Sequence, residues 1–270
     1  MRARIEIDER EITVDLAAPI SLAVEVSFGE ADQAWFGAPP ARALPLIVGA
    51  FHGAVAAGAS CNCSTLSLVP HCHGTHTESA GHLTLERLDA YRIIPCGLLT
   101  AVVVSVSPEA AERSLEASDP PPRPGDRLIT RARLESSWPR SRTSRARVLI
   151  LRTRWGASRG EVPDASLPPY FSREGMLFLI EQGIEHLIVD LPSLDRLSDA
   201  GRLSAHRLFF GLPAGTSALA AARRAHCTVT ELASVPEAIC DGPYLLELQA
   251  PALAGDAVPS RPLLYAIAAP

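Results

Sequence analysis

Hydrophobic and polar positions alternate on both sides of "DERE" in "RIEIDEREITVDL", which predicts a β-hairpin over 4–7 and 12–16. Further on, "LLTAVVVSV" (98–106) and "ARVLILRT" (146–153) are continuous, β-branched and apolar, the pattern of strands covered on both faces. "ALPLIVGAFHGAV" is equally apolar and fits either a strand or a buried helix. A helix-to-strand unit follows later. Ser172 is placed to cap "REGMLFLIEQ", Gly183 to end it, and "HLIVDL" (186–191) reads as the next strand. Strands are also expected at 226–232, 244–250 and 262–267, with a turn at Asp241-Gly242. Residues 116–145 are rich in Pro, Ser and Arg, with one short helix expected in "TRARLESSW". No repeat and no domain-length linker interrupts the pattern. The expectation is a single α/β domain over 1–270, with more strand than helix and an elaborated surface connection at 116–145.

Composition narrows the function classes. The 270 residues are 47% hydrophobic and 20% charged, enough for a substantial core. Net charge is -5, and all 25 basic residues are arginines, so the balance gives no case for nucleic acid or an anionic membrane. No segment has the length and apolarity to span a bilayer. The N-terminal "MRARIEIDEREITVDL" lacks the apolar run of a signal peptide. Six cysteines are scattered in a chain too large to need disulfides, and Cys61-Asn62-Cys63 is too tight for zinc-finger spacing. The expected compartment is the cytoplasm.

The chemistry concentrates in "VPHCHGTHTESAGHL" (69–83), which holds four of the eight histidines. In an extended chain Cys72, His76 and Glu78 share one face, and thiolate, imidazole and carboxylate are all accepted metal ligands. His71 and His73 point the other way and read as supporting or surface groups. Gly74 leaves room for an ion against the backbone, and His82 can approach from a turn after Gly81. Pro70, Gly74 and Gly81 keep the segment from becoming a regular helix. This density of imidazoles with a correctly phased acid points to a metal or acid–base site. His52 and His186 read as structural.

"GTHTESAGH" resembles the signature H-x-G-T-H-x-D-x-P-x-H of the cyclase family that includes bacterial kynurenine formamidases. "VLILRTRW", "PYFSREGMLFLIEQGIEHLIVDLPSLDR", "AHRLFFG", "TVTEL" and "DAVPSRPLLYAI" resemble later segments of that family, so the likeness spans about residues 12–267. It implies a swivelling β/β/α fold, a homodimer or higher homo-oligomer, and a hydrolase with one or two Zn²⁺ ions, Mn²⁺ being the alternative. Carried over position by position, Cys72, His76, Glu78, His206 and Glu231 are the metal ligands and His82 is the catalytic histidine. Trp35, Phe36, Arg154 and Trp155 are candidates for binding the substrate. Three positions depart from the pattern: Cys72 stands for His, Glu78 for Asp, and Ala80 for Pro. A thiolate at 72 favours zinc over manganese; alternatively His71 or His73 takes its place. His226 is a reserve ligand in the long interval before Glu231. The expected reaction is hydrolysis of an amide, formamide, lactam or ester bond in a small cyclic or aromatic molecule. A cyclase or lyase, or a non-catalytic binding protein, is the competing expectation.

Overall fold

The computed structural model describes residues 1–7, 10–29, 34–139, 146–153, 155 and 167–268. Its framework is an eleven-stranded mixed sheet. In chain order the strands are β1 (Arg2–Ile7), β2 (Arg10–Asp15), β3 (Ile20–Ser21), β4 (His76–Glu78), β5 (Leu98–Ser105) and β6 (Val148–Arg152), then β7 (His186–Val189), β8 (Thr228–Glu231), β9 (Gly242–Gln249), β10 (Ala257–Pro259) and β11 (Arg261–Ala268). Across the sheet they run β1-β2-β11-β9-β5-β6-β7-β8-β4-β10, with β3 paired to β11. The centre, β5-β6-β7-β8, is parallel, and both flanks are antiparallel.

The continuous apolar runs explain that centre. Every residue of β6 and β7 is buried, because one core packs on each face. Burying each Val, Leu or Ile side chain contributes about 1.5–3 kcal/mol, which fixes these strands as the spine. Of the helices α1 (Ala90–Ile93), α2 (Arg131–Ser137), α3 (Arg173–Glu181) and α4 (Ser204–Phe210), the last two send Met176, Phe178, Leu179, Phe209 and Phe210 into the core on one face. Ser172 Oγ accepts from Gly175 N at 2.9 Å, and Gly183, at φ +77°, follows the helix end, as the sequence led one to expect. The short helix within 116–145 also forms. It spans Arg131–Ser137 and is capped by Thr130, while Glu116 accepts from Arg131 N and Ala132 N.

One expectation is resolved and one corrected. "ALPLIVGAFHGAV" is strand and not helix, though its strands are short and lie outside the core. It forms Arg42–Pro45, paired with Ser64–Ser67, and a hairpin of Ile47–Val48 with Phe51–His52. Leu44, Ile47 and Val48 are 59–66% exposed, since Pro45 and Gly49 break the run and no core element covers it. Asp241-Gly242 is not a free turn. Gly242 opens β9, and Asp241 accepts from Ser105 N at 2.8 Å and pairs with Arg152 at 3.0 Å. Among the described residues no helix is long and apolar enough to cross a membrane.

Candidate metal centre

The candidate site lies where β8, β4 and β10 run antiparallel. Glu231 pairs with His76 across β8–β4, and Val229 with Glu78, so period-two alternation puts His76, Glu78 and Glu231 on one face. The intervening Thr77 takes the opposite face. There its Oγ1 meets Thr230 Oγ1 at 2.7 Å and Ser260 Oγ at 2.8 Å. Thr75 fixes the start of β4, donating to Leu232 O at 2.6 Å and accepting from Val24 N at 2.8 Å.

Both ends of β4 are turns of 3-10 helix. Pro70–Cys72 precedes it, with Pro70 as its first residue, and Ala80–Leu83 follows, capped by Ser79 Oγ accepting from Gly81 N. Extended-chain parity therefore stops short of Cys72. The turn carries His71 toward Glu78, with Nδ1 3.1 Å from Glu78 Oε2. Cys72 is buried, its thiol pushed up by that burial, and it joins none of the convergent ligand groups among the described residues. Gly74 (φ +138°) does not make space for an ion. A Cβ there would lie 3.0 Å from Val26 Cγ2 and 3.1 Å from Val24 O, so the bare backbone admits the passing chain instead.

His206 comes from α4. Asp195 accepts from Ala205 N, His206 N and His206 Nδ1, the last at 2.6 Å, and so anchors both helix start and ring. His206 Nε2 then faces Glu78 Oε1 at 2.9 Å and Glu231 Oε1 at 3.2 Å. His76 is held similarly. Its Nδ1 donates to Gly74 O at 3.0 Å, and its Nε2 lies 3.5 Å from Glu231 Oε2. Glu231 Oε1 also accepts from Leu194 N at 2.9 Å.

This arrangement has an electrostatic consequence. Asp195 and the Gly74 carbonyl only accept, so each imidazole spends its Nδ1 proton outward and turns an Nε2 lone pair toward carboxylates. His76 Nε2, His206 Nε2 and both Glu78 oxygens are buried without a hydrogen-bond partner among the described residues. Lone pairs facing lone pairs in a buried site need a cation between them. With protein groups alone, protonated histidine fills that need. Burial disfavours charge on His206, yet the nearby Glu78 carboxylate, the hydrogen bond to Asp195 and the close approach of Glu231 raise its pKa well above the usual value. Burial would raise Glu78, but His82 and His206 hold it well below the carboxylate range. His71, opposed by burial but bonded to Asp256 and Glu78, is pushed up to about 10.

A metal ion offers the other neutralisation, and the donor set fits one. Two groups with ligand atoms within 4.8 Å of one another, His71-His76-Glu78 and Glu78-His206-Glu231, share Glu78. A third, His71-His82-Asp256, adjoins them. Asp256 Oδ2 lies 3.0 Å from His71 Nε2 and 3.3 Å from His82 Nδ1. Asp256 and Asp195 escaped the sequence reading. Asp256 stands just before β10, but Asp195 lies well ahead of α4 in the chain, so neither carries a local motif.

Of the substrate-binding candidates, Trp35 and Trp155 meet at 5.8 Å between ring centroids, tilted by 51°. Trp35 N donates to Cys72 O at 3.0 Å, which joins the pair to the histidine segment. Trp155 Nε1 is buried and unpartnered among the described residues. Phe36 is exposed at φ +58° beside them in sequence, and Arg154 lies outside the described residues. His73 is structural, bonded to Val69 and to Pro39 O, and His186 is buried against Thr228. His226 is exposed and belongs to none of the ligand groups among the described residues; His52, on the outer hairpin, is also exposed.

A mixed sheet that gathers imidazoles and carboxylates into two groups sharing one glutamate defines a protein with a candidate dinuclear centre. The chain belongs to the Cyclase family, whose model ("Putative cyclase") matches residues 14–196. Among solved structures it is similar to isatin hydrolase A from Labrenzia aggregata bound to benzyl benzoate, with TM-score 0.59, 16% identity and 93% of this chain covering 94% of that one. It is also similar to isatin hydrolase A from Ralstonia solanacearum, with TM-score 0.57, 16% identity and coverage of 92% and 91%. A third is a "predicted metal-dependent hydrolase" from Bacillus stearothermophilus, with TM-score 0.57, 12% identity and coverage of 92% and 98%. At these identities the likeness is one of fold. No curated protein matches the chain.

Proposed function

We propose that the protein is a metal-dependent hydrolase acting on an amide, lactam, formamide or ester bond of a small aromatic or cyclic molecule. The observation that carries this reading is the set of orphaned lone pairs on His76, His206 and Glu78, turned inward by partners that only accept. His71, His76 and Glu78 would hold one ion, and Glu78, His206 and Glu231 a second, with Glu78 common to both. His71 takes the role expected of Cys72. The donors are then all imidazole and carboxylate, which suit zinc and manganese alike, so the thiolate argument for zinc falls away. Zinc remains the first ion to test.

A bound ion of this kind polarises a carbonyl and makes water nucleophilic near neutral pH. The chain's own groups supply the rest. His82 donates its Nδ1 proton to Asp256, leaving Nε2 turned toward the site, 4.0 Å from Glu78 Oε2, where it can carry a proton to a leaving nitrogen or oxygen. Trp35 and Trp155 offer a tilted aromatic wall for a flat ring. The isatin hydrolase folds make a bicyclic lactam a natural first substrate. Retention of every inward lone pair supports an enzyme over a decayed binding protein.

The test is elemental analysis of protein purified without chelator, followed by a screen of isatin, aryl formamides and aryl esters. About two ions per chain and chelator-sensitive hydrolysis restored by zinc or manganese are expected. Protein that takes up neither ion overturns the reading. Metal-replete protein inert toward the whole screen overturns the hydrolase.

A further inference from the structure

Away from the histidines, a cavity of about 370 Å³ opens between the start of α3, the start of α4 and residues 117–120. None of His71, His76, Glu78, His82 or Glu231 lines it. Its size is that of a small-molecule site. Phe171, Leu208, Leu212 and Pro213 provide apolar wall, and the polar groups around them are unevenly satisfied.

Every acid on the wall is already supplied with donors. Asp195 accepts from the backbone and ring of His206 and from Ala205 N, while Asp119 pairs with Arg202 and accepts from Ser204 Oγ. Arg207 donates to Pro213 O and Thr216 O. The hydroxyls of Ser118, Tyr170 and Ser172 donate to Pro120 O, Asp126 and Glu116. Two guanidinium groups are different. Arg196 is 5% exposed; its Nε and Nη2 engage Asp126, but its Nη1 is buried with no hydrogen-bond partner among the described residues. Arg173, the first residue of α3, makes no side-chain hydrogen bond or ion pair among them. The unmet need of this cavity is for acceptors and negative charge. A buried guanidinium left with free N–H groups costs stability that a planar anion would recover.

We propose that the cavity is a second binding site, for a small organic carboxylate. Its carboxylate pairs with the Arg173 guanidinium, the Arg196 side chain shifts to bring its buried, unpartnered Nη1 onto the same carboxylate, and the apolar body lies against Phe171, Leu208 and Leu212. The inference does not depend on the hydrolase reading, because none of the proposed metal ligands lines the cavity.

The probe is 4-bromobenzoate, with 4-bromobenzamide as the neutral match, measured by titration calorimetry and by bromine anomalous scattering from soaked crystals. We expect the acid to bind at least tenfold more tightly than the amide, with the bromine peak beside Leu208 and Leu212. Arg173→Ala should weaken binding about tenfold, as should Arg196→Lys, which keeps a charge for Asp126 but removes the Nη1 fork. Arg173 sits on an exposed helix start, so its variant tests the site even if Arg196→Lys fails to fold. His76→Ala should leave this affinity unchanged. Bromine only at the His76–Glu78 centre, equal binding of acid and amide, affinity untouched by Arg173→Ala, or binding at crystal concentration only would each overturn the proposal.

Discussion

One oxygen of Asp256 accepts from two rings, His71 through Nε2 and His82 through Nδ1. That choice sets opposite nitrogens free: Nδ1 of His71 toward Glu78, and Nε2 of His82 toward the open side of the site. Two histidines eleven positions apart in one segment thus receive different chemistry from a single carboxylate. His82→Ala should keep the metal and lose turnover by about 10²–10⁴-fold, the usual contribution of a general acid or base. His76→Ala should lose metal and turnover together. Paired metal content and kcat check the contrast, and a metal-poor His82→Ala would make His82 a ligand. Legibility at this scale was uneven for a physical reason. His76 and Glu78 share a face through strand alternation, a local rule. Asp256 is 185 residues from His71, and only the β4–β10 pairing brings it there. The shared face expected for Cys72 and His76 ends at a proline-started 3-10 turn, which changes the side-chain period from two to three.

Elements were most legible where burial dictates them. β5 and β6 followed from uninterrupted apolar runs, and α3 from its cap and its terminal glycine. α4 was not anticipated as a helix. It is only seven residues long, and its start is held by Asp195 and Asp199, whose side chains accept from Ala205 N, His206 N and Leu203 N. No propensity sum over seven residues carries that information. β7 also holds a pH-sensitive group away from the centre. Burial pushes the His186 pKa down to about 4 from 6.5. Its folded pKa is depressed, so the unfolded chain binds the proton first. Stability is intact above pH 6.5 and falls as pH drops toward 4, by about 3 kcal/mol over that window. Urea unfolding at a series of pH values should show His186→Gln with a flatter acid limb than the parent. Identical slopes would remove His186 as the cause.

At the scale of the molecule, one apolar stretch of surface is left without cover among the described residues. Leu44, Ile47, Val48, Val55 and Leu66 are each more than half exposed on two antiparallel strand pairs and the 3-10 turn Val55–Ala57, outside the buried cores. A second copy of the chain is the simplest cover, since a two-fold axis makes one patch its own partner. Light scattering should give a particle of twice 28.8 kDa, and Ile47→Asp should halve it. A 28.8 kDa particle for the parent chain at micromolar concentration would refute this. The sequence showed this run to be hydrophobic but not which side of it would be covered, because pattern alone cannot distinguish a core from an interface. The order in which the centre's groups occur along the chain has its own outcome. A ribosome emits His71, His76 and Glu78 early, His206 and Glu231 far later, and Asp256 almost last. Until β8 and β10 have docked on either side of β4, an ion meets only half a cage. On the proposed reading, tight capture of an ion would follow only once β8 and β10 have docked, and a bound ion would then seal that arrangement.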